Sequence, residues 1–410
     1  MNYTAIVACR ACADRRLEGV IDLGDLAISD FLAPGQAVER APLALCRCAG
    51  CGLVQLRHTV DRDRLYRTYH YRSGVNETMV AALGGVVADA THRVDLRPGD
   101  AVLDIGCNDG TLLEQYPTTL HRIGFDPADV ATDAWLERDF DYDLIRDYFP
   151  TTRQHTPIPC KIVTAVAVFY DLEDPGRFLD EVKRWLHPEG VLVLQFQDLA
   201  SMVEANAVDN VCHEHLTYWD YGSLLRLLRA HDLWLYDLRR VSVNGGSVRA
   251  TIGPDATRKM WLSGPTSYPF IVIPEDLSAF AQRVQRNRVE TVRLLCDLKR
   301  QGKTIYGIAA STKFNTLSQF YEIGPHLIDA IGERSPAKVG RSTVTGIPIV
   351  SEEEMRAAKP DYLLACAWQF ADVFAAREKD LLDQGTRLIV PLPQLRIVEG
   401  AHAGRLAQVP

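Results

Sequence analysis

The run Asn206-Ala207-Val208-Asp209-Asn210-Val211-Cys212-His213-Glu214-His215-Leu216 carries the densest chemistry in the chain. Histidine titrates near neutral pH and a neighbouring carboxylate can orient its ring, so two histidines around Glu214 suit a general base. The run is not the H-E-x-x-H pattern of zinc proteases, whose histidines lie four apart on a helix. Read as an extended segment, it turns His213 and His215 to one side and Glu214 to the other. An H-x-H metal pair is the competing reading, and its third ligand is not evident. Tyr218 and Trp219, just beyond, read as core or lid aromatics.

A second constellation lies earlier, at Val102-Leu103-Asp104-Ile105-Gly106-Cys107-Asn108-Asp109-Gly110. It runs from an apolar strand through a glycine turn into Thr111-Leu112-Leu113, read as the opening of a helix. Glycine at 106 lets a ligand approach the backbone closely, and a helix N-terminus favours groups that accept hydrogen bonds. The next strand ends in Gly124-Phe125-Asp126, an acid placed to grip ribose hydroxyls. A dinucleotide fold would prefer G-x-G-x-x-G, which is absent here. The D-x-G-x-x-x-G pattern with its later acid resembles motifs I and II of class I S-adenosylmethionine-dependent methyltransferases. A bare strand–turn–helix joint would not explain why Asp104, Asn108, Asp109 and Asp126 gather at strand ends.

The third constellation is Cys9-x-x-Cys12 with Cys48-x-x-Cys51. Each C-x-x-C turn presents two thiolates, and two such turns supply the four soft ligands of a tetrahedral zinc. Cys46 is a spare whose C-x-C spacing fits less well. Four protein ligands leave no open position, so this zinc is expected to be structural. A redox pair is the alternative, and nothing nearby supports it.

These groups need elements to hold them. Ala101–Ile105, Arg122–Asp126, Lys161–Val168, Val191–Phe196, Leu233–Arg239 and Val248–Ile252 read as strands, several of them continuous apolar runs typical of a sheet covered on both faces. Phe178–Leu186 and Tyr221–Ala230 carry helical spacing, as does the run from Leu65 to Ala90. The alternation predicts an α/β doubly wound domain. After Gly253–Pro274, a periodic segment Glu275–Gln301 reads as a helix. A smaller α/β set follows at Thr304–Ala309, Leu327–Ile331, Tyr362–Ala365 and Arg387–Val390, with Leu395–Pro410 partly strand and then frayed. Three units result: a zinc module over 1–65, a methyltransferase domain over 66–255 and a Rossmann-like domain over 256–410. Softer signals are Asn244-Gly245-Gly246-Ser247 before a strand, Ser311-Thr312-Lys313 as a diphosphate cradle or a solvated loop, and Tyr69-His70-Tyr71-Arg72-Ser73-Gly74 as a lid.

Bulk properties agree. A chain of 410 residues exceeds one domain, and 47% hydrophobic residues supply ample core. A net charge of -8 and a pI of about 5.8 argue against nucleic acid or an anionic membrane as the main partner. No apolar run reaches the roughly 20 residues that cross a bilayer. The N-terminus lacks the features of a signal peptide, and scattered cysteines fit a reducing cytoplasm.

Taken in order, these motifs resemble the sugar C-methyltransferases of deoxysugar biosynthesis, in particular the branch making 3-C-methyl sugars. The resemblance runs through the four cysteines, Pro42-Leu43, Tyr71-Arg72-Ser73-Gly74, Leu103-Asp104-Ile105-Gly106 with Asn108-Asp109-Gly110-Thr111, and Phe169-Tyr170-Asp171-Leu172-Glu173-Asp174-Pro175. It continues through the Asn206–Leu216 run, Asn244-Gly245-Gly246-Ser247, Ala310-Ser311-Thr312-Lys313 and Gly346-Ile347-Pro348-Ile349. It implies a dTDP-linked 4-keto-6-deoxy sugar methylated at C3, with S-adenosyl-L-methionine converted to S-adenosyl-L-homocysteine. His215 would be the base, with Glu214 and Tyr71 binding or polarising the sugar. Asp104, Gly106, Asn108, Asp109, Asp126, Asp147 and Ser73 would hold the cofactor. Cys212, His213, Asn244, Ser311 and Lys313 would meet the substrate. A monomer is expected, with a dimer as the alternative. Methylation at C5, and O- or N-methylation of another small metabolite, stay open, as does a non-catalytic zinc-and-nucleotide scaffold. The chain departs from the closest branch at Gln195-Phe196-Gln197-Asp198-Leu199-Ala200, at Phe314 and at Trp368-Gln369-Phe370.

Overall fold

The apolar runs of the central region stack into one twisted sheet. A computed structural model describes residues 3–67, 72–138, 141–151, 153, 155–241, 243, 246–254 and 277–400. Within the central domain the strands are β1 Ala101–Ile105, β2 His121–Phe125, β3 Asp143–Ile145, β4 Cys160–Val166, β5 Leu186–Gln197, β6 Trp234–Val241 and β7 Ser247–Gly253. Their spatial order is β6-β7-β5-β4-β1-β2-β3. Strands β1 to β5 pair in parallel, while β7 runs antiparallel to both β5 and β6. Every residue of β1 and of β7 is buried, as expected of strands covered on both faces. The order reverses between β1 and β4, and such switch points are where α/β sheets bind ligands, beyond the carboxyl ends of the strands.

The helix after β4, Pro175–Trp185, starts where Asp174 accepts a hydrogen bond from the Arg177 N–H and proline takes the first helical position. One expected helix is corrected. The segment after Gly110 forms only a single 3₁₀ turn, Leu113–Gln115, and Tyr116 is already extended. Pro117 is the cause, because the residue before a proline is pushed out of the helical region. The Leu65–Ala90 run likewise divides, into Arg62–Tyr66 and Glu77–Thr91, the second capped by Asn76. Strand β3 was not expected.

The C-terminal domain opens with the helix Ser278–Arg300 and forms its own sheet. Its order is Ile349–Ser351, Ala330–Glu333, Ile305–Ile308, Tyr362–Ala365, Arg387–Val390 and Arg396–Val398, parallel except for the last strand.

The N-terminal unit is knitted to both others. Its antiparallel sheet contains Leu17–Ala27, Arg40–Cys48 and Val54–Leu56, and its fourth strand is Thr217–Tyr218 from the central domain. A second pairing joins Phe31–Leu32 to Ser342–Thr343 of the C-terminal domain. One continuous core includes Leu45 and Val54 of the first unit, Val208, Val211 and Leu216 of the histidine segment, and Phe314 and Leu317 of the third. The histidine segment therefore sits where all three units meet.

Candidate active site

A short 3₁₀ turn, Val208–Asn210, leads into a second turn in which the His215 N–H donates to the Cys212 carbonyl at 3.3 Å. The segment is bent rather than extended, which corrects the expectation that both histidines share a side. His213 is buried, with Nε2 3.0 Å from the Ala41 carbonyl of the N-terminal sheet. It does not line the cavity, and its ring anchors the segment to the N-terminal sheet. Cys212, Glu214 and His215 turn to the other side and line a cavity of about 860 Å³.

His215 is fixed in one tautomer. Its Nδ1 lies 3.0 Å from the Asn210 carbonyl oxygen, which only accepts, so the proton is on Nδ1 and the Nε2 lone pair is free for chemistry. The Tyr170 ring packs against the imidazole at 4.3 Å between centroids. Burial, with help from the Lys313 ammonium, lowers its pKa to about 4. Glu214 moves the opposite way, as burial raises it to about 7. Its backbone carbonyl accepts a hydrogen bond from the Tyr66 hydroxyl at 3.0 Å. Asp171, also lining the cavity, is raised well above the carboxylate range by burial and by Glu214.

Across the same cavity lies the glycine turn. Gly106 has φ of 73°, and a Cβ there would fall 2.4 Å from Cγ2 of Val168. Glycine is therefore required on two counts. Asn108 adopts a left-handed conformation with φ of 50°. Its N–H donates to Asp126 Oδ2 at 2.8 Å, and its Oδ1 accepts from the Ser73 N–H at 3.0 Å. Asp126 Oδ1 accepts from the Ala128 N–H at 2.8 Å. Each carboxylate oxygen has a second lone pair, so Asp126 still has capacity for hydroxyl donors. Asp104 Oδ1 accepts from the Thr164 hydroxyl at 2.6 Å, and burial lifts its pKa to about 7. Asp104, Gly106, Asn108, Asp126, Asp147 and Ser73 all line the cavity.

Asp109 does not. Fully buried, it accepts from the Gly74 N–H at 2.9 Å and the Thr111 hydroxyl at 2.6 Å, bracing the loop from behind. Ser311 does not line the cavity either. Its hydroxyl caps the helix Thr312–Phe320, accepting from the Phe314 N–H at 3.1 Å, and donates to the Cys366 carbonyl at 3.1 Å. Lys313 does reach the cavity, where burial lowers its pKa and the Asp209 carboxylate opposes the shift. Tyr71 and Asn244 lie outside the described residues.

Among the cavity residues to which the motifs assign no role are Tyr66, Tyr170, Asp171 and Asp209. Tyr170 and Asp171 follow β4 directly, at the carboxyl end where such sheets place their chemistry, and that position was the available signal. Asp209 accepts from the Trp368 indole N–H at 2.8 Å and Gln369 Nε2 at 3.4 Å, tying the histidine segment to the C-terminal domain.

The four cysteines converge as their spacing predicts. Cys9 Sγ lies 3.6 Å from Cys51 Sγ, Cys12 Sγ lies 3.5 Å from Cys48 Sγ, and all four sulfurs fall within 4.8 Å of one another. Thiolates around one tetrahedral zinc stand about 3.8 Å apart, so the set fits that ion. Gln55 Nε2 at 3.2 Å and the Ala11 N–H at 3.4 Å donate to Cys9 Sγ, stabilising the thiolate form that binds metal.

Comparison with known proteins finds three family models along the chain. A zinc binding domain matches residues 9–66, a methyltransferase domain matches 79–237, and a C-methyltransferase C-terminal domain matches 271–393. The C-methyltransferase NovU of Streptomyces niveus is 27% identical over 411 residues, covering 95% of this chain and 96% of that protein. Among solved structures, the PH0226 protein of Pyrococcus horikoshii aligns with a TM-score of 0.37 at 15% identity, covering 47% of this chain and 98% of its own. The plantazolicin methyltransferase BpumL, in complex with SAH, aligns with a TM-score of 0.36 at 13% identity, covering 44% of this chain and 86% of its own.

Proposed function

We propose that this chain, which belongs to the S-adenosylmethionine-dependent C-methyltransferases, methylates C3 of a dTDP-linked 4-keto-6-deoxy sugar. The observation that carries the reading is the free Nε2 lone pair of His215 in the cavity that the Gly106 turn also lines. A C–H beside a ketone is acidic, and His215 Nε2 removes that proton. With a pKa of about 4 the imidazole is a modest base, so the chain must stabilise the developing enolate oxygen to make the transfer downhill. Glu214, protonated up to about pH 7, and the Lys313 ammonium are the donors at hand. The sulfonium, when bound, supplies the electrophilic methyl group, which the enolate carbon takes. The remaining residues bind and exclude water: Asp126 and Asn108 on the nucleoside side, and Tyr66 and Tyr170 around the base. Zinc has no step here, since four thiolates fill its coordination.

Methyl transfer from a carbon-13-labelled donor, followed by NMR of the product sugar, tests the regiochemistry. The label is expected on C3. A label on C5, on oxygen or on nitrogen would replace this reading with one of those activities.

A further inference from the structure

The turn that separates the two histidines creates a ligand set that the sequence spacing concealed. Cys212 Sγ lies 3.9 Å from Glu214 Oε2, and one ligand atom from each of Cys212, Glu214 and His215 falls within 4.8 Å of the others. Around a single zinc such donors stand about 3.3–3.8 Å apart, so the trio closes on an ion by small side-chain rotations. Sulfur, oxygen and nitrogen from three residues leave a fourth position open, the composition of an exchangeable site rather than a structural one. The imidazole is already arranged for it. Metal-bound histidines donate their other ring N–H to a carbonyl or carboxylate, and His215 Nδ1 does so to Asn210. The Tyr66 hydroxyl and the Asp171 carboxyl, held toward its protonated form by burial and by Glu214, line the same cavity, while the Lys313 ammonium opposes a cation.

We propose that Cys212, Glu214 and His215 form a second metal site, separate from the four-cysteine site, which takes a borderline divalent cation such as zinc. Binding moves the Cys212 thiol proton, and the Glu214 carboxyl proton wherever it is still held, to the buffer, and the Nε2 lone pair passes from proton abstraction to the metal. Occupancy and proton abstraction at His215 therefore exclude one another. The site itself rests only on the geometry. Its inhibitory consequence rests on His215 being the base.

The test uses the full-length protein with its structural zinc in place, brought to equilibrium by dialysis against buffered micromolar free zinc and analysed for protein-bound metal per chain without removing the free ion. Two zinc ions per chain are expected for the wild type, and one for each of Cys212→Ser and Glu214→Gln, with circular dichroism to confirm folding. Cadmium in place of zinc should give a thiolate charge-transfer band that shrinks in Cys212→Ser. A single zinc in the wild type, or two in both variants, would overturn the site. Added zinc should also stop deuterium exchange at the sugar carbon, with half-inhibition matching half-occupancy. Full occupancy with unchanged exchange would leave the site standing and remove His215 from the base role.

Discussion

At the scale of single residues, the cavity is an arrangement of titratable groups held away from their ordinary states. Glu214 is raised from 4.5 to about 7. A carboxyl that holds its proton more tightly when folded stabilises the protein only at low pH, and that contribution is lost as pH rises through the folded value. Glu214→Gln should therefore raise unfolding stability at pH 8 by an amount on the order of 2 kcal/mol, with the gain vanishing near pH 4.5. Denaturant midpoints at the two pH values measure it, and an equal effect at both would contradict the assignment. His215 has the opposite sign. Lowered from 6.5 to about 4, it costs stability as pH falls through that window, because the unfolded chain takes up the proton first. The acid limb of the exchange rate should accordingly lie near pH 4 instead of in the ordinary histidine range. An acid limb near 6.5 would show that the imidazole is more exposed than described.

At the scale of elements, the histidine segment is held from three sides. Thr217–Tyr218 pairs with the N-terminal strand Val54–Leu56, His213 reaches Ala41, and Asp209 takes the Trp368 indole N–H. Trp368→Phe removes a donor from a buried carboxylate, a change that typically costs about 1–3 kcal/mol. We expect it to raise the sugar KM while leaving cofactor affinity unchanged, because the contact joins the C-terminal domain to the base segment and not to the glycine turn. Equal losses in both affinities would indicate general unfolding. Local patterns were legible where the chemistry is local. The two cysteine knuckles, the apolar strands and the Tyr221–Ala230 helix all read directly from spacing. The bend at Cys212 did not, because an i to i+3 hydrogen bond leaves no mark in residue types, so spacing alone turns His213 and His215 to the same side. Pro117 did leave a mark, and it should have ended the helix read after Gly110.

At the scale of the whole molecule, the surprise is how little the three units behave as separate domains. The sequence boundaries at 65 and 255 mark changes of texture, yet sheet pairing crosses between the N-terminal unit and each of the other two, and one core runs through all three. Tyr66 and Asp171 reach the site from distant segments, which is why spacing alone could not assign them. This build gives the remote zinc a role in positioning. Cys48 ends a strand of the sheet that the Thr217–Tyr218 strand completes, just beyond His215. Cys48→Ser should lose the structural metal, lower the melting temperature and loosen the base segment. Metal analysis alongside thermal unfolding checks this, and retained metal with unchanged melting would discredit the four-cysteine site.

The central claim is that the His215 imidazole takes a proton from a carbon beside a ketone. Incubation of the enzyme and a dTDP-4-keto-6-deoxy sugar in D₂O, with NMR of the sugar C3 position, measures that step directly. Wild-type enzyme should exchange the C3 hydrogen, and His215→Ala should slow exchange at least about 100-fold while binding S-adenosylmethionine as before. Exchange at the wild-type rate in that variant would contradict the account.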